Sequence, residues 1–282
     1  MSRMDELLSD LSDEHESLDE VLADLTQAEW EAPTPAEGWQ VRDQISHLAY
    51  FDTTASLALV APERFEEHKA GLLAGEQGRA PDVALGRSVD GRHLLADWRT
   101  GRRDLLDAAR GADPERRVPW YGPEMSLASF TTARLMETWA HGQDVRDALG
   151  LPASVSRRLR HICHIGVSAR RYAFLVHGLT DPGTPVRVEA IAPDGETWAW
   201  GPDDAQVQIT GSALGLALVF TQRRHPADTE VSAKGATAER WLSIAQAFAG
   251  PAGPGREPGL GMPVGGLDAS LAPPAVPAEP EA

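Results

Sequence analysis

Ser126-Leu-Ala-Ser-Phe-Thr-Thr-Ala-Arg-Leu-Met-Glu-Thr-Trp-Ala-His-Gly-Gln-Asp-Val-Arg-Asp-Ala-Leu-Gly150 is the stretch on which the reading of this chain turns. Phe130, Arg134, Glu137, His141 and Val145 recur at spacings of three and four, which places them on one face of a helix. Ser126 is suited to cap its start and Gly150 to end it. Glu137 and His141, four residues apart, project side by side. A face that carries Phe130 and Val145 should look inward, and buried ionisable groups without partners cost several kcal/mol each. Two arrangements answer that cost. Either Arg134, Glu137 and His141 form a metal-free polar cluster, or a divalent metal neutralises the carboxylate and the imidazole.

The segments before this helix read as its bundle partners. Met4, Leu8, Leu11, His15, Leu18, Leu22 and Leu25 alternate at four and three, the seam of an amphipathic helix. The prolines and glycine of residues 31–38 break it. A second helix is expected over about 39–60, burying Val41, Ile45, Leu48, Ala55 and Leu59. Residues 61–89 read as one short helix and a long crossover. A third helix over about 91–110 buries Leu94, Leu95, Trp98, Leu105 and Leu106, and the loop Val118–Pro123 holds Trp120 and Tyr121 between prolines. Four helices with one long connection make a four-helix bundle over residues 1–153.

Beyond Pro152 the pattern changes. Residues 156–179 look helical, Val186–Ile191 alternates as a strand, and Asp194-Gly195 turns it into a second strand over Thr197–Trp200. Further strands are expected near 206–210 and 230–233, with helices over 212–223 and 237–248. Residues 154–250 therefore read as a small α+β domain, and the fold class as α+β. Residues 251–282 hold eight prolines and six glycines and are expected to be a disordered tail.

The net charge of −16 argues against a protein that binds nucleic-acid backbone or an anionic membrane. Ten of the acids lie in residues 1–30 against Arg3 alone, which suits a solvated helix face. A single cysteine, Cys163, excludes an intramolecular disulfide and a cysteine-rich zinc site. The acidic start lacks the pattern of a secretory signal, no apolar run is long enough for a bilayer, and a cytoplasmic protein is expected.

His47, at the edge of the second helix's apolar stripe, lies within Trp39-Gln-Val-Arg-Asp-Gln-Ile-Ser-His-Leu-Ala-Tyr-Phe-Asp52. If the two helices face each other, His47, Glu137 and His141 converge on one point. Two histidines and a carboxylate leave coordination positions open, as catalytic rather than closed metal sites do. Gly38-Trp39 leading to His47, with Glu137-Thr-Trp-Ala-His141 followed by Asp144, resembles the metal-binding motifs of the DinB-like superfamily, and most closely its mycothiol-dependent maleylpyruvate isomerase group. The resemblance covers roughly residues 5–250. It implies a DinB-like metal-binding bundle followed by a small α+β domain, with His47, Glu137 and His141 as ligands of a divalent metal, usually Zn2+, and mycothiol as cosubstrate. It also implies an active-site arginine from the C-terminal domain, best matched by Arg223, although the glycine usual before it is Gln222 here.

Other candidates carry alternative roles. Arg134 could clamp a substrate carboxylate or pair with Glu137. Asp43 could orient His47 or merely begin a helix. His15 could approach the metal or be a hydrogen-bonded core residue. Trp120 and Tyr121 could wall a pocket. His225, beside Arg223 and Arg224, adds to a local cationic cluster, whereas Cys163, His161 and His164 show no ligand pattern. A C-terminal stretch is also similar to a segment of tRNA wyosine-base-forming enzymes, but the charge and the lack of a cysteine cluster argue against that chemistry. The expected function is a metal-dependent thiol S-transferase or isomerase acting on an acidic electrophile. A hydrolase with activated water stands second and a non-enzymatic small-ligand-binding protein third.

Overall fold

The computed structural model describes residues 2–74 and 80–260. Helix α1 (Arg3–Leu22) is opened by a Ser2–Asp5 capping box, and the short α2 (Gln27–Trp30) follows it. After a turn closed by Thr34 and Trp39 come α3 (Val41–Val60), α4 (Pro62–Leu73), α5 (Pro81–Ala84) and α6 (Gly91–Arg110). The aromatic loop is clasped by a two-residue pairing of β1 (Arg117–Val118) with β2 (Met125–Ser126). Helix α7 (Leu127–Ala148) begins where the Ser126 hydroxyl accepts from the Ser129 amide and ends at Gly150, whose φ of +65° completes the stop. The four long helices α1, α3, α6 and α7 pack as the bundle. The segment expected to hold one short helix holds two, α4 and α5, because Pro62 and Pro81 each start a new helix at its first turn.

Helices α8 (Leu159–Ser168) and α9 (Arg170–Val176) lead into a four-stranded sheet, β3 (Val186–Ile191), β4 (Thr197–Trp200), β5 (Val207–Ser212) and β6 (Ser232–Lys234), in the order β4-β3-β5-β6. β4 and β3 are antiparallel, β3 and β5 parallel with Val186 opposite Val207, and β5 and β6 antiparallel. The chain passes from β4 beneath the start of β3 to reach β5. Gly201, at φ +85°, makes that passage, since a Cβ there would run into the Val186 carbonyl. Helices α10 (Ala213–Phe220) and α11 (Ala236–Ser243) flank the sheet. α8 lies between α7 and α10, where Gly166 leaves room for the Phe220 ring.

The apolar core does not stop at the bundle. One contiguous cluster joins Leu135 and Trp139 of α7 to Ile162, Val188, Leu216 and Trp241, while Leu18, Ile45, Leu48, Leu94 and Trp98 fill the bundle's other end. Residues 251–260 carry no helix or strand, yet they are tied to the body. The Gly253 amide donates to Gln246 Oε1 at 3.1 Å, the Gly259 amide to the Asp228 carboxylate, and Arg256 to Asp144 at 3.0 Å. The rest of the proline-rich segment, 261–282, lies outside the described residues.

Candidate metal centre

Helices α3 and α7 bring His47, Glu137 and His141 together, each offering one ligand atom within 4.8 Å of the others. The His47 and His141 rings have centroids 4.3 Å apart, and His141 Nε2 lies 3.2 Å from Glu137 Oε2. Trp39 stacks on His141 at 6.0 Å and Phe51 packs on His47 at 4.6 Å, so indole and phenyl rings flank the two imidazoles.

A chain of hydrogen bonds assigns the proton on His141. The Thr34 hydroxyl donates to the Trp39 carbonyl, and its oxygen accepts from Gln44 Nε2 at 2.9 Å. Gln44 therefore turns its carbonyl oxygen to His141 Nδ1, 2.5 Å away, and that nitrogen carries the hydrogen. His47 Nδ1 likewise faces a carboxylate oxygen of Asp82 at 2.8 Å. His141 Nε2 is left facing Glu137 Oε2 at 3.2 Å, with His47 beside it.

The electrostatics agree with this assignment. Burial, reinforced by the charge of His47, pushes His141 down to about 4, so it is neutral near pH 7. Burial alone would raise Glu137, but the His141 hydrogen bond and the charges of His141, His47 and Arg134 outweigh it and hold the carboxyl at about 2. One nitrogen from each imidazole and a carboxylate oxygen thus meet at one point. That donor set fits a divalent cation, with an orienting partner behind each imidazole as metal-bound histidines require.

Arg223 reaches this end of α7. Its Nη2 donates to Asp144 Oδ2 at 2.8 Å, its Nη1 to the Thr221 carbonyl, and its charge contributes to the lowering of His141. Gln222, standing where a glycine is usual, adopts φ +58°. The Gln222 amide donates to Val219 O and the Arg223 amide to Leu218 O, a left-handed helix ending that delivers Arg223 as a glycine there would. The left-handed backbone costs a non-glycine residue roughly 1 kcal/mol, and Gln222 Nε2 gains the Ala245 carbonyl in return.

Arg134 is placed differently from a clamp. Its Nε and Nη2 both donate to Asp52 Oδ1, at 3.1 and 2.9 Å, in the bundle interior. Asp43 does not orient His47. It caps α3 through the Gln40 amide and pairs with Arg87. His15 packs edge-on against Trp98, with Nε2 3.9 Å from Asp52 Oδ2 rather than at the metal ligands. Trp120 and Tyr121 continue the aromatic wall outward from Phe51, at 6.1 and 5.5 Å. Arg224 forks onto Asp147. Cys163 is fully buried, donates to the Ala213 carbonyl, and is pushed up to about 12. The orienting residues Gln44 and Asp82 were not found by sequence reasoning. Gln44 carried a signal, being an amide on the buried side between Val41 and Leu48, whereas Asp82 carried none.

The profile of the mycothiol maleylpyruvate isomerase N-terminal domain matches residues 11–146, which include His47, Glu137 and His141. Two uncharacterized proteins of Mycobacterium tuberculosis, from strains CDC 1551 / Oshkosh and ATCC 25618 / H37Rv, are each 45% identical over 250 residues, covering 88% of this chain and 97% of theirs. Crystal structures of the mycothiol-dependent maleylpyruvate isomerase and of a histidine-to-alanine mutant of it superpose with a TM-score of 0.56 at 16% identity. The match spans 83% of this chain and 93% of those, and it shows a shared fold. With the bundle, the sheet domain and the His-Glu-His constellation all in place, this chain belongs to the mycothiol maleylpyruvate isomerase family.

Proposed function

We propose that the chain is a metal-dependent enzyme of thiol chemistry, an isomerase or S-transferase that uses mycothiol on an acidic electrophile of the maleylpyruvate type. The observation that carries this reading is the convergence of His47, His141 and the Glu137 carboxylate on one point, each imidazole held from behind by Asp82 or Gln44. His47, Glu137 and His141 would hold the metal, with zinc the cation that two imidazoles and one carboxylate suit best. When bound, such a cation stabilises a thiolate at neutral pH by acting as a Lewis acid.

The protein's own groups then have defined tasks. Cys163 is buried with its proton held, so the thiolate comes from a small molecule. Trp39 and Phe51 keep water from the imidazoles, and Arg223 would bind a carboxylate and stabilise negative charge developing on the electrophile. Arg134 acts at one remove, through Asp52 and through its charge on Glu137. The acidic chain with one buried thiol suits a cytoplasmic setting.

Turnover of maleylpyruvate with and without mycothiol tests the reading. Turnover should require the thiol, and Arg223→Ala should lower kcat/KM by about a hundredfold or more. Turnover independent of thiol would mean a hydrolase. Thiol-dependent turnover untouched by Arg223→Ala would remove that residue from the chemistry.

A further inference from the structure

Asp144, one turn beyond His141 on α7, is 2% exposed and shared between two arginines. Arg223 Nη2 approaches its Oδ2 at 2.8 Å, and Arg256 Nη2 its Oδ1 at 3.0 Å. Arg256 reaches there from the segment 251–260, and its Nη1 also donates to the Pro35 carbonyl in the turn that carries Trp39. That segment is anchored on both sides of it, at Gly253 on Gln246 and at Gly259 on Asp228, so the guanidinium is held in position.

The charges here do not balance. Arg224 is matched by Asp147, but among the described residues the ion pairs of Arg223 and Arg256 both fall on Asp144, with side chains only 12% and 18% exposed. Among the described residues, the Nε atoms of both Arg223 and Arg256 are buried donors without an acceptor. In a chain of net charge −16, a half-buried positive excess beside the metal ligands is a local reversal of the protein's field. An uncompensated buried charge is costly, and a guanidinium fork matches the planar geometry of a carboxylate. A cavity of about 210 Å³, lined among others by Gln222, Arg224, His225 and Arg256, adjoins the Arg256 side chain.

We infer that Arg256 is a second substrate-binding arginine, which pairs with Arg223 to take a carboxylate of the electrophile while Asp144 holds the two guanidinium groups apart in the ligand-free protein. The segment 251–260 is then part of the site, and it makes the site selective for acids. This assignment rests on the reading of the neighbouring residues as an active site, but its test needs neither metal nor thiol.

The test is isothermal calorimetry of the full-length, chelator-treated chain with succinate and with the uncharged succinamide as probes. Succinate should bind and succinamide should not. Arg256→Gln should weaken succinate about tenfold or more, and Arg256→Lys, which keeps the charge but loses the fork, should fall between. Circular dichroism of each variant checks the fold, and if the Gln variant fails to fold, the Lys variant decides. Equal affinity in the variants, binding of succinamide as tight as succinate, or no binding by the wild type would overturn the assignment. Failure of the metal and thiol reading would leave these titrations unchanged. Failure of the Arg256 assignment would leave metal content and thiol dependence unchanged.

Discussion

At the scale of single residues, the candidate centre depends on which nitrogen of each imidazole carries a proton. Thr34, Gln44 and His141 form one directed chain, and Asp82 supplies the acceptor for His47. Asp82→Asn would offer His47 Nδ1 an amide instead of a carboxylate, and Gln44→Leu would release the His141 proton. Each variant should retain its helical content and lose about 10- to 100-fold in metal affinity, read by competition with a chelator. His15 makes a separate prediction. Burial, which outweighs the opposing charge of Asp52 and is reinforced by Arg102 and Arg134, pushes it from 6.5 down to about 4. Between those two pH values the unfolded chain binds a proton that the folded chain refuses, so stability falls as pH drops through that window. The loss should approach roughly 3 kcal/mol by pH 4. His15→Leu should remove that part of the slope in urea titrations run at pH 7 and pH 4.5, and an unchanged slope would contradict the assignment.

At the scale of elements, α3 and α7 must stay in register for their ligands to meet, and the Asp52–Arg134 pair fixes that register from inside the bundle. Trp98 Nε1 from α6 donates to the other oxygen of Asp52 at 3.1 Å, which adds a third helix to the joint. Arg134→Met should cost about 3–5 kcal/mol in denaturant unfolding, because it strands a buried carboxylate, and the double variant with Asp52→Leu should recover much of that loss. Equal losses in the single and double variants would refute the pairing.

The long helices were readable because each must bury one stripe, so Leu and Val recur at helical spacing whatever the partner. Val186–Ile191 and Thr197–Trp200 were readable for the same reason at period two. Helix α5 was not, since α4 and α5 bury only Phe65 and Val83, too few side chains to impose a period. With it went Asp82, 35 residues from His47 and joined to it only by folding. The His-Glu-His set could be proposed because Glu137 and His141 share one turn. Of the two roles open to Asp43 the structure shows the second, because a carboxylate at the first turn of α3 serves the helix start and Arg87 first.

At the scale of the whole molecule, the core that runs from Leu135 and Trp139 to Leu216 and Trp241 holds the sheet domain against the bundle. That contact sets Arg223, at the end of α10, against Asp144 of α7, one turn beyond His141. No helix among the described residues is long and apolar enough to cross a membrane. The central claim is that α3 and α7 build a metal centre, and elemental analysis of the purified, untagged protein tests it most directly. The account predicts about one divalent ion per chain in the wild type, and loss of that ion in His47→Ala and His141→Ala with helical content retained. A wild type that takes up no metal after reconstitution, or variants that keep wild-type stoichiometry, would contradict it.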